Sequence, residues 1–210
     1  KNPLSSLRSA AETISLIKDP AQQQKLIKVI LQDVSRLDRL ITDISQASRV
    51  DTEIIGQDGE QIDFAILLDN FIQLRRQSFA DHKLVLIKPE ERIMVVGQDG
   101  RIVQVLDNLL SNAVSFSPKG AKIIFDLSTK APPAQAVLHI LDEGPGIPEN
   151  RLETVFHRFY SERPKGESFG DHSGLGLSIA KQIIEGHDGS LVASNHDKGG
   201  ACFTITLPLA

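Results

Sequence analysis

The first 48 residues contain no glycine, and their apolar positions recur at helical spacing. Ile27, Ile30, Val34, Leu37, Ile41 and Ile44 are separated by steps of 3, 4, 3, 4 and 3, and Leu4, Leu7, Ala11 and Ile14 by 3, 4 and 3. Such a pattern puts one narrow apolar seam on each of two helices. Asp19-Pro20 lies between them and reads as the turn that opens the second helix. The expectation is a helical hairpin over residues 1–50. Two helices enclose little core, so dimerisation into a four-helix bundle is the natural way to bury both seams. Packing of the hairpin on the chain's own second domain is the alternative.

The rest of the chain has a different texture. Residues 49–61 are polar, carry two glycines and read as a linker, with 51–61 as its core. From residue 62 onward helical and strand patterns alternate. Asp63 to about His82 reads as an amphipathic helix with Ile66, Leu67, Phe71 and Leu74 on one face. Leu84–Ile87 and Ile93–Val96 read as short strands, and Arg101 to about Ser115 as a strong helix. Lys122–Leu127 and Ala136–Leu141 read as strands, Gly174–Gly186 as a helix, and Leu191–Ser194 with Cys202–Leu207 as a closing strand pair. The class is therefore α+β, a helical hairpin followed by a layered domain over 62–210.

Composition narrows the function classes. The charge sum of −4 argues against a broad basic face for nucleic acid. No apolar run reaches the roughly 18–20 residues of a membrane span. A single cysteine, Cys202, excludes an intrachain disulfide. The chain starts at Lys1, has Met94 as its only methionine and reads as a fragment of something longer. No HExxH, CxxC, GxSxG or Walker-type loop occurs, so zinc hydrolase, redox and hydrolase-elbow chemistry have no support.

Three constellations carry chemistry. Gln104, Asn108 and Asn112 recur every four residues on one helix, so their amides share a face opposite Val105, Leu106, Leu109 and Leu110. Carboxamide oxygens there suit a hydrated Mg²⁺ that also takes phosphate ligands; a solvated polar face is the plainer reading. Asp142-Glu143-Gly144-Pro145-Gly146-Ile147-Pro148 follows a strand. A carboxylate at that place can accept from an amino group such as adenine N6, and the glycines permit a tight turn beside a flat ring. A surface turn would look the same. Gly174-Leu175-Gly176-Leu177 opens a helix, and glycines there expose backbone N–H groups to a phosphate. A simple helix start is the alternative.

The order of these parts is more specific than any one of them. VGQDGRIVQVLDNLLSNAVSFSP, DEGPGIP, VFHRFY and SGLGLSIAKQIIEGHDGSL resemble the N, first glycine, F and second glycine boxes of the sensor histidine kinases, and KNPLSSLRSA resembles the rest of an H box. KNPLSSLRSA, FYSERP and NAVSFSP are most similar to the alphaproteobacterial ChvG/ExoS/BvrS-like subgroup. The resemblance implies a Bergerat-type α/β sandwich that binds Mg-ATP, beside a dimeric hairpin carrying a phosphoacceptor histidine. That histidine would lie three residues before Lys1, so the sequence as given would bind ATP without phosphorylating its own H box. It implies Asn112 as the Mg²⁺ ligand, Asn108 beside the phosphates with Gln104 in support, and Asp142 on the adenine amino group. Gly144 and Gly146 would shape the base pocket and Phe116 would line it. Gly174, Leu175 and Gly176 would cradle the phosphates. Phe156, Phe159 and Tyr160 would anchor a lid over about 161–172, from which Arg163 or Lys165 would reach the γ-phosphate. Asn2 would orient water for dephosphorylating a response regulator, the partner to which phosphate passes. The parent would be an inner-membrane protein with this portion in the cytoplasm.

Three departures stand out. Ser115-Phe116 replaces the Lys-Tyr common in that family, Ser161 replaces the Arg common after the F-box Tyr, and the acceptor histidine is absent. A nucleotide-binding scaffold or phosphatase, another Bergerat ATPase, or an anti-sigma serine kinase therefore remain as alternatives. A gyrase- or Hsp90-like ATPase normally has Glu where Asn108 stands, to activate water, so the resemblance implies phosphotransfer over hydrolysis.

Overall fold

The computed structural model describes residues 3–14, 22–31, 59–132, 134–160, 174–197 and 199–210, with isolated positions 17, 19, 20 and 34. In the N-terminal part, α1 (Pro3–Ile14) is a helix and α2 covers residues 22–31. Gln23 ties the start of α2 to the turn, its backbone N–H donating to Asp19 O at 3.0 Å and its side chain to Ile17 O at 2.7 Å. Seam residues Ile27 and Val34 are 45% and 48% exposed in the single chain. Leu37, Ile41, Ile44 and residues 51–58 of the expected linker lie outside the described residues.

The second part is a two-layer α+β domain. Five strands form one sheet in the order β2-β4-β5-β7-β6: β2 (Lys83–Ile87), β4 (Lys122–Lys130), β5 (Gln135–Leu141), β6 (Ser190–Asn195) and β7 (Ala201–Pro208). Only β2–β4 is parallel. Alternation decides which face meets the helices: Ile123, Phe125, Leu127, Leu138, Ile140, Phe203, Ile205 and Leu207 are all buried in the core. Helices α3 (Phe64–Arg76), α4 (Asp99–Phe116) and α5 (Gly176–Glu185) cover that face. Phe71 meets Phe125 edge-on, with ring centroids 6.1 Å apart.

Two expectations need correction. The linker does not run to residue 61: Glu60–Asp63 forms β1, paired antiparallel with β3 (Met94–Gly97). Only Ile62 of that strand is buried, so its polar composition hid it. The helix after it is shorter than 63–82 and presents another face. Asp63 caps it, its Oδ1 accepting from Ile66 N at 3.3 Å. Phe64, Ala65, Leu67, Leu68, Phe71 and Ile72 are buried, whereas Ile66 is 51% and Leu74 71% exposed. The bulkier stripe through Phe64, Leu68, Phe71 and Ile72 turns Ile66 outward. Arg75 bonds Asp107 through two contacts of 2.6 and 2.7 Å, joining α3 to α4.

The α4 helix matches its pattern. Ile102, Val105, Leu106, Leu109, Leu110 and Ala113 are buried, and Gln104, Asn108 and Asn112 lie on the half-exposed side. His187 joins α5 to the start of α4: its Nδ1 donates to Ile183 O at 2.7 Å and its Nε2 accepts from Gln98 N at 3.2 Å.

Candidate functional site: α4, α5 and the Asp142 loop

Asp142 follows β5 and is 5% exposed. Its Oδ1 accepts from the backbone N–H of Gly144 at 2.8 Å and of Ala201 at 3.0 Å. Among the described residues nothing donates to Oδ2, which leaves one acceptor for a ligand. Burial raises the carboxyl's pKa above the ordinary aspartate value, and the bonds from Ala201 and Gly144 pull it partly back. The ionised form is thus costly here unless a donor meets it.

Glycines let backbone close around this carboxylate. A Cβ on Gly144 would lie 2.9 Å from both Asp142 Oδ1 and Phe116 O. The end of α4 and the Asp142 loop therefore touch, which brings Phe116, Gly144 and Asp142 together. Gly200, at φ +93°, is packed against the Asp142 carbonyl so closely that a Cβ would overlap it. The spacing of DEGPGIP pointed to Asp142; nothing local pointed to Gly200 and Ala201, 58 and 59 residues further on.

The other end of the pocket is made by α4 and α5. A Cβ on Gly176, the first residue of α5, would stand 3.4 Å from Asn108 Oδ1. Neither Asn108 nor Asn112 makes a side-chain hydrogen bond to another described residue, whereas Gln104 Oε1 lies 3.5 Å from Arg101. Leu175 is 2% exposed, and its side chain belongs to the core. Ser178 Oγ donates back to Leu175 O at 2.8 Å and fixes this first turn.

Phe159 N donates to Gly174 O at 2.9 Å, closing the two edges of the 161–173 segment on each other. Gly174 sits at φ +73°, and a Cβ there would come 2.9 Å from Tyr160 O. Of the three expected anchors, Phe156 is buried with its ring edge-on to Phe203 at 6.3 Å. Tyr160 is half-buried, with the Arg151 guanidinium 5.9 Å from its ring centroid. Phe159 does not anchor by burial: it is 67% exposed and holds φ +66°. Arg163, Lys165 and Asn2 lie outside the described residues.

A divalent cation would find carboxamides here. No group of three or more His, Cys, Asp or Glu suited to a metal occurs among the described residues. Neutral oxygens such as that of Asn112 suit Mg²⁺ only when phosphates and water complete its shell.

Residues 97–210 match the family described as histidine kinase-, DNA gyrase B-, and HSP90-like ATPase, and residues 1–53 match the His Kinase A (phospho-acceptor) domain. The chain belongs to the histidine kinase family. Within it, the sensor protein ChvG of Rhizobium meliloti (strain 1021) is 40% identical over 99% of this chain and 38% of its own length. ChvG of Agrobacterium fabrum (strain C58) is 42% identical over 100% of this chain and 37% of its own length. The chain thus spans less than two fifths of these relatives. The solved histidine kinase ThkA, in complex with response regulator protein TrrA, is 22% identical and superposes over 100% of this chain and 58% of that one with a TM-score of 0.78, a likeness of fold.

Proposed function

We propose that this chain is the catalytic core of a sensor histidine kinase: it binds Mg-ATP, transfers the γ-phosphoryl group to a histidine of the hairpin, and passes it to an aspartate of a response regulator. The observation that carries this reading is Asp142. It is a buried carboxylate with one oxygen saturated by backbone and the other open, at one end of a pocket whose other end is a helix N-terminus facing Asn108.

In this reading Asp142 Oδ2 accepts from the adenine amino group, and the loop through Gly144 and Gly146 lies along the ring. Phe116 lines the base. The amides of Leu175 and Gly176 meet the phosphates at the positive end of α5. Gly174 lets the chain turn into that cradle. Asn108 orients a phosphate oxygen, and Asn112 holds the cation. Mg²⁺, when bound, neutralises charge on the β- and γ-phosphates. The histidine ring nitrogen attacks the γ-phosphorus as the bond to the β,γ-bridging oxygen breaks, and ADP leaves. Asn108 is a carboxamide and cannot take a proton from water, which favours phosphoryl transfer over hydrolysis. Tyr160 and Phe159 bound the segment from which Arg163 would reach the γ-phosphate. Asn2 serves the reverse chemistry, orienting water on the phosphorylated regulator. The domains follow: a dimerising hairpin over 1–50, a linker, and an ATP domain that begins with β1. The partners are a second copy of the chain and a receiver domain, with no nucleic acid. The whole protein is anchored in the inner membrane with this portion in the cytoplasm.

The test uses a version extended about ten residues upstream, incubated with labelled Mg-ATP. Acid-labile, base-stable label that disappears in Asp142→Ala and Asn112→Ala is the expected result. ATP binding without such label would replace this reading with a scaffold or phosphatase.

A further inference from the structure

The loop from Asp142 to Ile147 is held at both ends, by the two strands of one hairpin. At its start, Asp142 exchanges two bonds with Ala201 on β7: Asp142 N donates to Ala201 O at 3.0 Å, and Ala201 N donates to Asp142 Oδ1 at 3.0 Å. At its end, Asn195 on β6 makes a paired contact with the backbone of one residue. Ile147 N donates to Asn195 Oδ1 at 2.7 Å, and Asn195 Nδ2 donates to Ile147 O at 2.7 Å. Asn195 and Ala201 are themselves cross-strand partners. One rung of the β6–β7 hairpin therefore carries both ends of the loop. Between those ends, Gly146 adopts φ +78°, and a Cβ on it would lie 2.8 Å from Asn195 Oδ1. The close approach of Asn195 thus depends on the second glycine of the loop.

We infer that Asn195 is a positioning residue for the base end of the nucleotide site, fixing the loop so that Asp142 and the ring plane keep the spacing that selects a 6-aminopurine. The inference rests on the nucleotide-binding reading above and adds a residue 48 positions from the motif it serves. Its chemistry is particular. A carboxamide offers one acceptor and one donor in the geometry of a peptide, so it pairs with Ile147 as a strand neighbour would. A carboxylate keeps the acceptor for Ile147 N but sets a second oxygen against Ile147 O. A methyl group keeps neither. The loop beyond Asp142 has no other side-chain tether among the described residues apart from Glu143, whose Oε2 accepts from Lys122 N at 3.0 Å.

The experiment measures ADP and GDP binding to the full chain and to Asn195→Ala, Asn195→Asp and Ser190→Ala. The last removes an exposed hydroxyl pair with Thr206 at 2.6 Å in the same hairpin, away from the loop. Loss of two neutral hydrogen bonds corresponds to about a tenfold fall in ADP affinity for Asn195→Ala. The ADP-to-GDP preference should shrink with it, Asn195→Asp should be impaired as well, and Ser190→Ala should match the parent chain. In a version extended to include the acceptor histidine, KM for ATP should rise by a similar factor with kcat at saturating ATP unchanged. An Asn195→Ala chain with the parent's ADP affinity overturns the inference while the nucleotide reading stands. An equal loss for ADP and GDP, with the preference intact, makes Asn195 a structural residue and also overturns it. A parent chain that binds no ADP overturns both readings together.

Discussion

The two ends of the pocket are built on opposite terms. At the end proposed for the base the chain bonds to itself: Asp142 to Gly144 and Ala201, and Asn195 to Ile147. At the end proposed for the phosphates, Asn108 and Asn112 have no side-chain partner among the described residues, and Gly176 at the start of α5 lies against Asn108. A neutral ring needs a slot of fixed width, which backbone hydrogen bonds can define before the ligand arrives. Phosphates and a cation bring their own charge, so in the proposed reading that end relies on the carboxamides of Asn108 and Asn112 and on the helix dipole. In the proposed reading these are two solutions to binding one molecule.

That contrast can be broken in stages. The largest effect belongs to Gly200→Ala. It puts a side chain at φ +93° and drives its Cβ into the Asp142 carbonyl. We expect a loss of about 3–4 kcal/mol and a fall in Tm of about 10 °C, read by thermal unfolding. An unchanged Tm would mean that the base end yields, contrary to the rigid slot described.

Asp142→Asn separates binding from stability. The native carboxyl is raised by burial, so the fold favours its neutral form. The stability it contributes is present at acid pH, below the ordinary aspartate value, and is lost as pH rises through the raised native value. At pH 7 the asparagine should therefore leave Tm unchanged or higher, and this advantage should vanish on acidification. Nucleotide affinity should move the other way: about a hundredfold weaker for the variant, since an amide N–H replaces the acceptor proposed to meet the adenine amine. In the parent chain affinity should fall on acidification from a pH above that at which an ordinary aspartate titrates. Calorimetric binding and unfolding across pH read both signs.

The smallest effect sharpens the comparison at the surface of α3. Leu74→Ser should change stability by no more than about 0.5 kcal/mol, while Phe71→Ala costs about 3 kcal/mol or more, in denaturant unfolding. Equal costs would mean that the exposed face of α3 is covered in solution.

These residues also mark where the sequence was legible. The α4 pattern could be read because its buried positions and its amide row both follow one helical period over 18 residues. Asp142 and its glycines could be read because they are adjacent in the chain. The face of α3 could not: Ile66 and Leu74 fit an apolar stripe as well as Phe64 and Ile72 do, and only the volume beneath the helix chooses between them. Strand β1 could not, because a four-residue edge strand with one buried side chain carries almost no alternation.

By itself, then, the sequence determined the local terms of this protein: helices near the N-terminus, an α+β domain, the carboxylate, the amide row and the glycine turns. Each depends on residues within one or two turns of each other. Tertiary structure alone decided what closes around them. Gly200, Ala201 and Asn195 reach the Asp142 loop from about 50 to 60 residues away, because strand pairing puts β7 beside β5 and β6 beside β7. Hydrogen bonds of that range follow from register, and register is fixed by which faces the whole core buries.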